Sequence, residues 1–289
     1  MVSDGAMDPV VALRLWLSNQ IRLKVVGDDP ESRMEAVMLS PGERWFAEDR
    51  PIRKVHADAS MFIGGLRALL LQSLHPLAMA GVAQHSDYRT DPWGRLQRTA
   101  DYLAVTTFGP AIDAELMVAR VQAVHERVRG TASDGRPYSA GDPHLLKWVH
   151  ICEVDSFLAA HRAFGSERLT AEEADAYVAD MALVAARLGV VDAPRSAAEL
   201  RDTLKAYRPE LRSSTEAREA ARFLLLEPPL PLAARAPYAV LGAAAVSLLP
   251  AWTRWPLRVP YLPLTERVVA RPVGEALTRL IRWSLSPAA

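Results

Sequence analysis

Apolar residues recur along this chain mostly at intervals of three and four, and rarely at two, so the pattern predicts helices and no convincing strand. A first helix is predicted over 10–26, stopped at Gly27-Asp28-Asp29-Pro30, with a turn at Pro41-Gly42. A long, mostly apolar helix is predicted over 56–74, ending before His75-Pro76 because the residue preceding proline is pushed out of the helical region. Pro76 then opens a helix over 77–85. Asp91-Pro92 and Asp142-Pro143 pair an N-cap with a proline at the first helical position. They predict helices to about residue 107 and to residue 164. Between these lie a helix over 113–129 with Gly130 as its stop and a polar loop over 131–138. Thr170 to Glu173 forms a capping box before a helix to residue 188, and 196–207 and 214–226 follow. Roughly ten helices and no sheet predict one all-α domain over 1–289.

The last quarter has a different texture. Pro228-Pro229-Leu230-Pro231 breaks the chain, and 228–289 reads as a proline-rich extension containing Trp and Arg. Its apolar run over 238–249 is shorter than the ~20 residues a bilayer span needs. Trp252, Arg254, Trp255, Arg258 and Tyr261 follow, the mixture found at membrane interfaces. Peripheral membrane contact through 237–262 and a buried core helix both fit this run. The longer apolar stretch 61–82 is no span, because it would bury Arg67, Gln72, Ser73 and His75.

Composition narrows the class. Half the residues are hydrophobic and the formal net charge is zero, which supports a globular core and argues against non-specific nucleic-acid binding. The lone Cys152 excludes an internal disulfide framework, and the first residues lack a secretory signal pattern, so a cytoplasmic protein is expected. Glycine-rich phosphate loops, Cys-x-x-Cys and Gly-x-Ser-x-Gly are missing.

Four groups of residues carry candidate chemistry. His125 shares a helix face with Val118, Val121 and Val128, and an imidazole on an aliphatic stripe needs a partner, either a backbone carbonyl or a metal. Arg95, Arg98 and Thr99 stand three and four residues apart and can project from one side of a helix, though ion pairs with Asp91 or Asp101 would also explain the arginines. Arg67 sits in an apolar helix after Gly64-Gly65 and must be paired, by Asp155, by Asp58 or by an anionic group of a cofactor. His150, with Val154 and Phe157 on its face and Glu153 and Asp155 nearby, is a second candidate ligand or a structural polar knot. His75 reads as a helix C-cap.

Gly64-Gly65-Leu66-Arg67, His75-Pro76, His85-Ser86-Asp87-Tyr88-Arg89, Asp91-Pro92, Gly94 to Thr99, Val124-His125, Arg129-Gly130, Trp148-Val149-His150 and Asp155-Ser156-Phe157 together resemble one family. It is that of the rubber oxygenases (latex clearing proteins) and the fungal oxygenase that cleaves a prenyl chain in mycophenolic acid biosynthesis. The resemblance runs over roughly 55–225. It implies an all-α fold around an apolar pocket for haem b. It also implies O₂ and an apolar alkene, prenyl or terpenoid substrate, with His125 matching the proximal iron ligand and Arg95, Arg98 and Thr99 the distal side. Where the latex clearing proteins carry a distal lysine this chain has Arg98, which is no practical iron ligand. Where they carry an upstream glutamate this chain has Met79. The alternative is a helical binding protein for a lipid or terpenoid that performs no reaction.

Overall fold

The computed structural model describes residues 8–286. Helices α1 (Pro9–Val25), α2 (Pro30–Leu39), α3 (Pro51–His56), α4 (Met61–Gln72), α5 (Pro76–His85), α6 (Pro92–Phe108) and α7 (Ala111–His125) come first. A short antiparallel hairpin, β1 (Arg129–Thr131) and β2 (Pro137–Ser139), separates them from α8 (Pro143–Phe164), with Arg129 opposite Ser139. Then follow α9 (Ala171–Leu188), α10 (Ala197–Tyr207), α11 (Thr215–Leu226), α12 (Leu232–Leu248) and α13 (Ala251–Leu257). The short α14 (Pro263–Thr265) continues through a π-helical stretch, Glu266–Ala270, into α15 (Arg271–Leu285). The fold is all-α, as the periodicity predicts.

One local device recurs. Asp8, Asp29, Asp91 and Asp142 each precede a proline, and each carboxylate accepts a backbone N–H in the first turn, from Val10, Ser32, Gly94 and His144. The Asp29 cap starts α2, which the sequence reading leaves out.

Other expectations are corrected. The helix expected over 56–74 begins only at Met61, after a break that holds Asp58 and separates it from α3, which ends at His56. Its buried carboxylate accepts the N–H groups of Ser60 and Ser166 and is paired with Arg282 at 3.0 Å. Helix α7 stops at His125, so Gly130 is a strand residue and the expected loop 131–138 is largely a hairpin around Gly135, at φ 85°. That hairpin buries Tyr138, whose hydroxyl donates to Gln84 on α5. His75 caps the start of α5, its Nδ1 accepting the Ala78 amide at 3.4 Å, and is no C-cap.

Helix α8 is the hub. It packs most closely on α4, where Phe157 lies against Gly64 so tightly that a Cβ there would meet the ring at 2.7 Å. The apolar run over 238–249 lies mostly in α12, which packs on α4 and α15 with Ala244 and Ala245 fully buried, so it is a core helix. Arg254 is also internal, bonded to Glu266 and to the carbonyls of Leu249 and Pro260. Trp255 and Tyr261, by contrast, stay exposed. No single helix among the described residues is long and apolar enough to cross a membrane.

Candidate active site

Helices α6 and α7 form an antiparallel hairpin turned at Gly109-Pro110. Arg95 lies thirteen residues before Phe108, the end of α6, and His125 fourteen after Ala111, the start of α7. At 1.5 Å per residue both stand about 20 Å from the turn, at the same end. The inward face of α6 runs Arg95, Tyr102, Thr106, a spacing of seven and four.

On α8, His150, Glu153 and Phe157 share a face. Tyr102 of α6 and Tyr177 of α9 both feel the charge of Glu153. His56, the last residue of α3, closes the deep end. Its Nδ1 shares a 2.7 Å hydrogen bond with Thr107, and its ring stands edge-on to Phe157 and Tyr177 at 5.6 and 5.9 Å. The seam between α6–α7 and α8–α9, the candidate crevice, runs from His56 and Tyr177 at one end toward Arg95 and His125 at the other.

The electrostatics of this crevice are unusual. His56 Nε2, Tyr177 Oη, His150 Nε2, His125 Nδ1 and Arg53 Nη1 are buried and have no hydrogen-bond partner in the protein. Burial drives each imidazole toward the neutral form: His56 is lowered to about 3, His150 to about 4, and His125 is lowered too. Glu153 has no hydrogen bond or ion pair among the described residues, and burial raises it to about 7. Arg95 likewise has no carboxylate partner, and burial lowers it, with Arg98 adding a smaller push. Arg95, His125 and Glu153 nevertheless keep some accessible surface.

The structure does not gather all the candidates. Arg98 and Thr99 are exposed: Arg98 is 3.4 Å from Asp91, and the Thr99 hydroxyl donates to the Arg95 carbonyl. Arg67 lies across α8 from the crevice. Its guanidinium donates to Asp155, Ser156 and the Leu248 carbonyl, so the internal carboxylate is its partner. Met79 is buried beside Tyr88 and Ala220. Glu153 follows Trp148 to Cys152 on a mostly apolar helix and shares the face of His150 and Phe157, and that is the sequence signal for it. His56, Tyr102 and Tyr177 give no such signal.

A second cluster stands apart. Ligand atoms of His75, His144 and Glu210 lie within 4.8 Å of one another. The Tyr207 hydroxyl donates to the His144 carbonyl at 2.9 Å, and its oxygen lies 3.2 Å from His144 Nδ1. Glu210 in turn pairs with Nε2 of both histidines, at 2.8 Å for His144 and 3.4 Å for His75. Hydrogen bonds thus satisfy this cluster internally, as they do not in the crevice.

The profile of the family described as "ER-bound oxygenase mpaB/B'/Rubber oxygenase, catalytic domain" matches residues 53–283. Uncharacterised proteins of Mycobacterium bovis and Mycobacterium tuberculosis are each 40% identical over 70 residues, 24% of this chain. The match spans 28% of the length of those relatives. No solved structure matches the chain.

Proposed function

The chain belongs to the family of ER-bound oxygenase mpaB/B' and rubber oxygenase catalytic domains, and on that premise we propose that it is a haem-dependent oxygenase. It acts with O₂ on an apolar alkene, prenyl chain or terpenoid. The observation that carries this reading is the set of buried, unpartnered polar atoms along the α6–α9 crevice, since buried polar groups in a finished interior are normally bonded.

The residues suit a haem. His125 offers a neutral nitrogen without a partner, the form in which imidazole ligates iron, and His150 is the second candidate. Arg95 is a desolvated guanidinium in want of an anion, and a propionate or a negatively charged oxygen would supply one. Bound haem would supply the iron at which O₂ is held and activated. The protein's own part is to exclude water, orient the substrate and hold a proton on Glu153 near neutral pH. Arg98 and Thr99 stand outside this proposal, as does Arg67.

Haem reconstitution tests it. Wild type is expected to show a Soret band that His125→Ala loses while remaining helical by circular dichroism. Loss in His150→Ala and retention in His125→Ala would move the iron to His150. A wild-type protein that stays colourless after reconstitution would overturn the haem reading and leave the crevice to an apolar ligand alone.

A further inference from the structure

Between residues 40 and 225 the exposed large apolar side chains among the described residues are Leu96, Ile112, Leu116, Val124, Val149 and Val191. The greater number are crowded into the two ends of the chain. In α15 the usual arrangement is inverted. Its buried face is Gly274, Thr278, Ile281 and Ser284, mostly small or hydroxyl residues. From Leu264 onward, an outward row at intervals of four, Leu264, Val268, Pro272, Ala276 and Leu280, then Trp283, is exposed and apolar throughout.

Helix α1 packs alongside α15, with Arg14 over the Trp283 ring at 5.6 Å and bonded to the Ser286 carbonyl. The N-terminal half of α1 also turns Val11, Leu15 and Trp16 to the outside. Two neighbouring helices therefore expose apolar rows side by side, and such patches mark contact surfaces.

The charges say what the contact is with. Helix α1 carries Arg14, Arg22 and Lys24 and no acid. In the segment after residue 228 both acids, Glu266 and Glu275, are paired, with Arg254 and Arg279. Arg258 and Arg267 have no carboxylate partner among the described residues. Apolar rows that include tryptophan, with Arg258 and Arg267 close by in the chain, are complementary to an anionic lipid surface.

We propose that the paired outer faces of α1 and α14–α15 dock this protein on the surface of an anionic membrane. The surface is distinct from the core helix α12. It is independent of the cofactor, so the proposal stands or falls apart from the haem reading.

Co-sedimentation of the full chain with vesicles tests it. Binding is expected to mixed phosphatidylglycerol and phosphatidylcholine and to weaken with salt, with much less binding to phosphatidylcholine alone. The double variant Leu264→Glu/Val268→Glu should weaken binding by roughly tenfold or more without loss of helicity. Ile112→Glu, an equally exposed site elsewhere, should leave binding unchanged. Wild type that stays in the supernatant with both vesicle types overturns the proposal. So does a dimer in light scattering that Val268→Glu splits, because the face then belongs to a second copy.

Discussion

The two sides of α8 hold the same kinds of residue in opposite states. On one side Arg67 meets Asp155, Ser156 and a carbonyl, and every nitrogen of its guanidinium has a partner. On the other, Glu153, His150 and His56 offer atoms that nothing in the protein answers. The difference separates polar groups whose partners lie within the fold from polar groups that have none there. The Arg67 side is satisfied within the fold, and on the crevice side buried polar atoms are not.

The largest effect should come from breaking the finished side. Asp155→Ala strands a guanidinium in the core and should cost roughly 3–5 kcal/mol, read as a fall in the urea midpoint. A loss below about 1 kcal/mol would mean that this ion pair is not structural. Gly64→Ala should follow at roughly 1–3 kcal/mol, because the new methyl overpacks against Phe157. Through the Phe157 ring it should also disturb His56, which an NMR shift of that imidazole would record.

Glu153→Gln probes the unfinished side, and its effect should depend on pH. A folded value of about 7 against the usual 4.5 means that the native state keeps a proton the unfolded chain has released. Stability from this group is therefore present below about pH 4.5, declines as pH rises to about 7 and is absent above. Tyr102, Tyr177 and Cys152 are titratable groups that feel its charge. Glu153→Gln should thus gain thermal stability over wild type at pH 8 and lose that advantage at pH 5. A difference independent of pH would show that Glu153 is solvated. The smallest effect is Gly65→Ala. A methyl there meets nothing, so it should stabilise by up to about 1 kcal/mol, in contrast to its neighbour.

Much of this was legible in the chain. The Asp91-Pro92 and Asp142-Pro143 caps announce two helix starts with a physical mechanism, the same device at Asp29-Pro30 reads as a stop in the sequence, and the all-α class follows from spacing alone. Strands of three residues are too short to establish a period of two, which hid the β1–β2 hairpin. The prolines and arginines of the last sixty residues hid α13 to α15, because α15 buries small residues and exposes large ones. His125 and His150 were visible as imidazoles on apolar faces. Spacing of three and four placed Arg95, Arg98 and Thr99 together but could not say which would turn inward. Burial settles that, since Arg95 is half-buried whereas Arg98 and Thr99 are exposed. Arg67 needed a partner, and only the packing of α4 on α8 could choose Asp155.

The pairing of Asp58 with Arg282 bears on the order in which this chain matures. Burial alone would raise Asp58, yet Arg282 and the amides of Ser60 and Ser166 hold it down at about 2, so it is charged in the native core. Its counter-ion lies 224 residues away along the chain. During synthesis the break between α3 and α4 emerges early and waits with an uncompensated carboxylate until α15 leaves the ribosome. The pair is therefore a late, non-local step of the kind that slows folding. A ribosome-stalled chain ending before Arg282 should hold α4 and α8 in a protease-sensitive state that the last turns of α15 convert to a resistant one.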